Sequence, residues 1–167
     1  LLAAFGLPQD IFAQEAAALR QLADSEAMVA ALQREPEGLQ AQVDATLAWL
    51  EQEPGRRELL TLGDPGYPAD LLAIEDPPVL LYRMGQLQLP ASPALAIVGS
   101  RNPTPQGVQN AQQFGRAVAE AGVTVVSGMA LGIDGAAHEG ALAGARPGRV
   151  ATIAVVGTGL DRVYPRR

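Results

Sequence analysis

An α/β chain is predicted, with a small helical region leading into a mostly parallel sheet, from two features of the 167 residues. Between Asp10 and about Leu50 the residues are mostly Ala, Leu, Gln and Glu, all good helix formers, with apolar positions at helical spacing. From Ala94 onward an apolar run, a Gly-rich loop and a helical stretch recur about every 25–30 residues, the pattern of right-handed βαβ units. A hydrophobic content of 48% is enough for a buried core.

In the first part, Ile11, Ala18, Leu19 and Leu22 fall on one helical stripe, and Val43, Leu47 and Leu50 on another. Two or three short helices are expected, broken near Asp24 and Ser25 and again at Glu35, Pro36 and Gly38. Trp49 reads as a core anchor rather than a platform for stacking bases. Five prolines between Pro54 and Pro78 then cut the chain into turns, and Val79–Tyr82 is a short apolar strand. A domain boundary is expected near Arg56, dividing the chain into residues 1–56 and 57–167.

The second part is organised around ALAIVGSRNPTPQG, residues 94–107. Ala94–Val98 reads as a strand, Gly99, Ser100 and Arg101 as a tight loop, and Thr104-Pro105 as a helix start with Thr as N-cap and Pro at the first helical position. Val108, Ala111, Phe114, Val118 and Ala121 make the apolar stripe of that helix, which Gly122 can end in a left-handed conformation. Val123–Ser127 is a second strand, GMALGID a second loop, and Asp134 a candidate N-cap for a helix to about Ala143. Arg149–Val156 is a third strand, ending in GTGLDRVYPRR. Three loops that each follow a parallel strand lie on one carboxyl edge, where open α/β sheets bind ligands.

Charge and composition narrow the chemistry. The net charge is −6, but residues 1–90 hold 5 Arg and 14 acids (−9), whereas residues 91–167 hold 7 Arg and 4 acids (+3). The cationic half is thus the half with the Gly-rich loops. With no cysteine and one histidine, disulfides, thiol catalysis and a zinc site are excluded or improbable, and no metal or cofactor is expected. No apolar run of roughly 18 residues is present to span a membrane. The opening LLAAFGLPQDIF has too short an apolar part and no basic flank for a signal peptide, and with no initial Met the chain reads as part of a longer protein.

The loops form a candidate anion site. Gly99, Ser100 and Arg101 offer backbone amides, a hydroxyl and a planar cation. Gly128, Met129, Ala130 and Gly132 offer further amides, with no side chain at the glycines to hold a phosphate away. Gly157, Thr158, Gly159, Arg162, Tyr164, Arg166 and Arg167 complete a cationic edge for several phosphates in a line. None of the loops is a GxGxxG or Walker sequence. Asp134 and His138, four residues apart, share a helical face. They are either an acid/base pair or, as favoured because no nucleophile adjoins them, a helix cap and a packed histidine under the loop.

Four stretches, GDPGYPADLLAIEDPPVLLYRMG, AIVGSRNPTPQG, VVSGMALGIDGAAHEGAL and TIAVVGTGLDRVYP, resemble the DNA-processing protein A family (DprA, also called Smf) in order and spacing. That resemblance implies a sterile-alpha-motif-like (SAM-like) all-α domain followed by an extended Rossmann-like domain. It implies a cytoplasmic protein, not an enzyme, that binds and protects single-stranded DNA and helps load RecA recombinase in natural transformation. By position, Arg101 would be the main phosphate-binding cation, aided by Ser100, the backbone of Gly128 to Gly132, and Gly157 through Tyr164, with Asp134 and His138 in the same segment. Two departures stand out: Gln106 replaces a Tyr common in the family, and the family pattern runs on beyond Arg167, into the part through which a homodimer is expected. The competing reading is an enzyme of the nucleoside-monophosphate phosphoribohydrolase type, whose PGGxGT-like loop and following Glu this sequence lacks. A purely structural module would leave the three glycine loops unexplained.

Overall fold

The computed structural model describes residues 1–87 and 93–165. The chain separates into two compact units, Leu1–Leu87 and Gln88–Arg167. The boundary expected near Arg56 falls inside the first unit, at the start of a strand.

The first unit begins with short helices α1 (Leu2–Phe5), α2 (Pro8–Phe12), α3 (Ala16–Leu19) and α4 (Glu26–Leu32), then the longer α5 (Leu39–Gln52). Both expected breaks are present: Ser25 caps α4 by accepting from the Met28 amide (3.2 Å), and Gly38 in a left-handed conformation precedes α5. The segment before Asp24 is more fragmented than its periodicity suggests, with Pro8 restarting the helix after Gly6. Ile11, Leu19 and Val29 form its core, whereas Leu22 is half exposed.

The stripe expected to bury α5 does not do so. Val43 and Leu47 are exposed, and α5 instead turns Thr46 and Trp49 to an antiparallel hairpin, β1 (Arg57–Thr61) and β2 (Leu80–Met84). Short α6 (Ala69–Leu72) lies between the two strands. Trp49 meets Tyr82 edge-on at 5.6 Å, in agreement with its reading as a packing residue. Arg57, with a side chain only 13% exposed, closes the C-terminal end of α5. It donates to the Trp49 carbonyl (2.9 Å), Gln52 Oε1 (2.7 Å) and Glu53 Oε1 (2.6 Å), with its guanidinium 5.0 Å from the Trp49 ring centre. A cation there balances the negative end of the helix dipole. Strand β1 is not foreseen, because RELLT is too short to show a period and its paired residues lie 19 to 27 positions away.

The second unit is a parallel three-stranded sheet in the order β3 (Ala94–Ala96), β4 (Thr124–Ser127), β5 (Thr152–Ala154). Helices α7 (Pro105–Glu120) and α8 (Ile133–Ala143) make the two crossovers and lie side by side. Thr104 caps α7 by accepting from the Gly107 amide (3.1 Å), Pro105 opens it, and Gly122 follows its end with φ +83°. The α/β class and the parallel sheet therefore stand as the sequence predicts.

The buried face of α7 is only partly the predicted one: Ala111 is buried and Val118 packs on the core, but Phe114 and Ala121 face outward. Phe114 is 68% exposed, and the residues against α8 are Ala111, Gly115 and Ala119. The cause is backbone proximity. A Cβ on Gly115 would run into the Ala137 carbonyl, one on Gly140 into the Gln112 carbonyl, and one on Gly144 into the Arg116 carbonyl. Helices this close admit only small residues at the contact, so the apolar stripe read by size alone was rotated. Val125, Ala119, Ala137, Ala141 and Ala151 form the core beneath, with Ile97 and Val118 against it.

Gly140→Ala gains about 1 kcal/mol of helix propensity, but the obstacle is backbone that cannot swing aside. A net loss of about 1–3 kcal/mol is expected for Gly140→Ala. For Gly157→Ala, whose Cβ would meet nothing within 4 Å, the change should stay within about 0.5 kcal/mol. Urea unfolding of both variants measures the difference.

Candidate functional site

The carboxyl ends of β3, β4 and β5 carry the three loops, so the shared edge expected from the sequence is formed. The strand ends are tied laterally. Ser127 Oγ donates to the Ile97 carbonyl (2.6 Å), and the Val155 amide donates to the Ser127 carbonyl (2.9 Å).

The first two loops interlock. The Ile133 amide, at the start of α8, donates to the Ser100 carbonyl (3.1 Å). Gly132, at φ +91°, lies so close to the first loop that a Cβ would strike the Ser100 carbonyl and stand 2.9 Å from the Arg101 carbonyl. A Cβ on Gly99 would be 2.7 Å from Ile133 Cγ1. Both glycines are thus required by close approach, and neither loop can shift without the other. In the first loop, Ser100 Oγ accepts from the Asn102 amide (3.1 Å).

Several donors remain on this edge. The amides of Ser100, Arg101, Met129, Leu131 and Gly132 have no acceptor among the described residues. The Arg101 and Arg162 side chains are exposed and form no ion pair among the described residues. Unpaired amides and free guanidinium groups at strand ends are suited to an anion. Leu131 lies within the Gly128–Gly132 backbone that the sequence already offers as donors. The third loop, from Gly157 through Thr158 and Gly159 to Tyr164, turns at Gly159, whose carbonyl accepts from the Arg162 amide (3.1 Å). Arg166 and Arg167 lie outside the described residues.

Asp134 and His138 lie below the loop surface. Asp134 is 7% exposed, and its Oδ2 accepts from the Ala130 amide (3.4 Å). It is the second residue of α8, and Gly132 rather than Asp134 holds the N-cap position. His138 Nδ1 is 2.6 Å from Thr152 Oγ1, and that hydroxyl gives its one hydrogen to the Val125 carbonyl (2.9 Å). The hydroxyl can then only accept, so Nδ1 carries the ring proton and Nε2 is the bare nitrogen. Nε2 is buried with no partner among the described residues. Burial lowers the His138 pKa from its usual 6.5, against the opposing pull of the Asp134 carboxylate and the Ser127 carbonyl. Each side chain is thus engaged with the fold, the arrangement favoured over an acid/base pair. Among the described residues no group of three His, Cys, Asp or Glu could hold a metal ion, and no helix is long and apolar enough to cross a membrane.

Comparison with known proteins places this geometry. The model of the family described as DNA recombination-mediator protein A matches residues 58–167. The chain is 42% identical over 119 residues to protein Smf of Synechocystis, covering 69% of this chain and 29% of that protein. It is also 42% identical over 119 residues to the DNA processing protein DprA of Streptococcus pneumoniae, covering 71% of this chain and 40% of that one. The X-ray structure of the S. pneumoniae DprA superposes with a TM-score of 0.63 at 33% identity, over 92% of this chain and 50% of that chain. The chain thus spans half or less of the length of these relatives.

Because the folded state holds His138 at a lowered pKa, the unfolded chain takes up its proton first as pH falls. Stability should therefore decline as pH drops through the unfolded value near 6.5 and level off once the folded pKa is passed. In His138→Gln this component should be missing, which urea unfolding between about pH 7.5 and 5 would show as a flatter profile.

Proposed function

Since the chain belongs to the DNA recombination-mediator protein A family, we propose that it binds single-stranded DNA along the carboxyl edge of the β3-β4-β5 sheet. The observation that carries this reading is the combination, on one edge, of amides in two interlocked loops with the guanidinium group of Arg101, none of them paired among the described residues. Successive phosphates of a flexible strand can meet such a row without any base being read, which gives salt-dependent, largely sequence-independent binding.

In this reading Arg101 is the main cation and Ser100 lies beside it. Amides of Gly99, Ser100, Gly128, Met129 and Gly132 surround a phosphate, and Gly157, Thr158, Gly159, Arg162 and Tyr164 extend the track; Arg166 and Arg167, outside the described residues, belong to this reading by sequence alone. Asp134, His138 and the Ala130 amide support the loop from beneath. The protein acts without catalytic turnover, in the cytoplasm, as a homodimer that protects the strand and helps load RecA recombinase in DNA processing. These wider roles rest on membership of the family. We read residues 1–56 as a helical domain of the SAM-like type and residues 57–167 as a Rossmann-like domain; the family match from residue 58 supports the second, while the β1-β2 hairpin belongs to the first compact unit.

Fluorescence anisotropy with labelled oligothymidine and a matched duplex, at two salt concentrations, tests the reading. The single strand should be preferred and its affinity should fall with salt. Arg101→Ala should weaken binding roughly tenfold and reduce the salt slope by about one. Binding that ignores both salt and Arg101 would remove the phosphate edge as the site.

A further inference from the structure

We propose that Asp134 is the positioning residue of this edge: its buried carboxylate holds the Gly128–Gly132 loop by taking the Ala130 amide, and so leaves the neighbouring amides for phosphate. The inference rests on the anion-binding reading of the loop and assigns Asp134 a role beneath it rather than in contact with DNA.

Four observations converge. Asp134 is almost fully buried, and its Oδ2 both accepts from the Ala130 amide (3.4 Å) and lies 3.1 Å from where a Cβ on Gly128 would stand. The loop is therefore wrapped closely over one carboxylate oxygen. Met129 has φ +59° and Gly132 φ +91°, so the chain turns twice through conformations that side chains disfavour. The Gly135 amide donates to the Ala130 carbonyl (3.2 Å), so both backbone groups of Ala130 are held by the first turn of α8. On either side, the amides of Met129, Leu131 and Gly132 have no acceptor among the described residues. Without the carboxylate, nothing else described holds the Ala130 amide inward, and the left-handed turn at Met129 would be free to relax.

What the geometry uses is an acceptor oxygen in one place, not a negative charge, which would oppose an anion nearby. Asn supplies the same acceptor; Ala does not. Amide hydrogen exchange of Ala130, followed by NMR in the whole chain, reads the contact directly, and oligothymidine anisotropy reads its consequence. In Asp134→Ala the Ala130 amide should exchange at least about tenfold faster and binding should weaken about tenfold. In Asp134→Asn both should stay close to the parent. Gly128→Ala, which pushes a methyl group against Oδ2 while keeping the carboxylate, should reproduce the faster exchange if Asp134→Ala does not fold.

Unchanged Ala130 exchange in folded Asp134→Ala would overturn the proposal, as would Asp134→Asn losing as much protection as Asp134→Ala. Failure of the parent chain to bind oligothymidine would instead sink the DNA-binding reading, while the exchange result would still decide whether Asp134 holds the loop.

Discussion

The backbone contact between α7 and α8 is the constraint on which the second unit depends. Gly115, Gly140 and Gly144 let each helix lie against the other's carbonyl oxygens. Dispersion contacts at such short range are numerous, and no side chain is wide enough to hold the helices apart. The separation of the two crossovers then sets where their N-termini emerge above the sheet. That is why the loop before α8 reaches the loop before α7, with Ile133 bonded to Ser100 and Gly132 against the Ser100 and Arg101 carbonyls.

Above this frame, the polar groups divide by depth. Those in the interior are satisfied within the fold: Ser127 on Ile97, Thr152 on Val125, His138 on Thr152 and Asp134 on Ala130. Several amides at the rim have no acceptor among the described residues, and Arg101 and Arg162 stand exposed beside them. A buried polar group without a partner is costly, whereas an amide at a solvent edge is not. The separation of held groups below from free groups above is what a preorganised anion site requires. One buried nitrogen, His138 Nε2, departs from the pattern, and its neutrality at ordinary pH follows from that same burial.

The first unit solves a different problem. Its helices are too short to be stable alone, and the longest, α5, presents Thr46 and Trp49 rather than its apolar stripe to the β1-β2 hairpin. Arg57 makes the joint, because one planar cation can bond to the helix end, pair with Glu53 and stack on Trp49 at once. In the hairpin, Arg83 pairs with Glu58 directly across the ladder (3.1 Å), so charge as well as pattern sets the register.

Local chemistry was legible in the sequence. Thr104-Pro105 starts α7, Gly122 ends it, Ser25 and Gly38 mark the helical breaks, and three apolar runs before Gly-rich loops become three parallel strands sharing one carboxyl edge. Each of these depends on a few adjacent residues, whose conformational limits are the same in any fold. What the tertiary structure alone decided is which groups meet. That Phe114 faces outward while Gly115 is buried follows from where α8 lies, and that Asp134 grips Ala130 instead of capping its helix follows from the path of the loop. The pairing of RELLT with a distant strand belongs to the same class, because a contact between segments far apart in the chain has no period and no local signature.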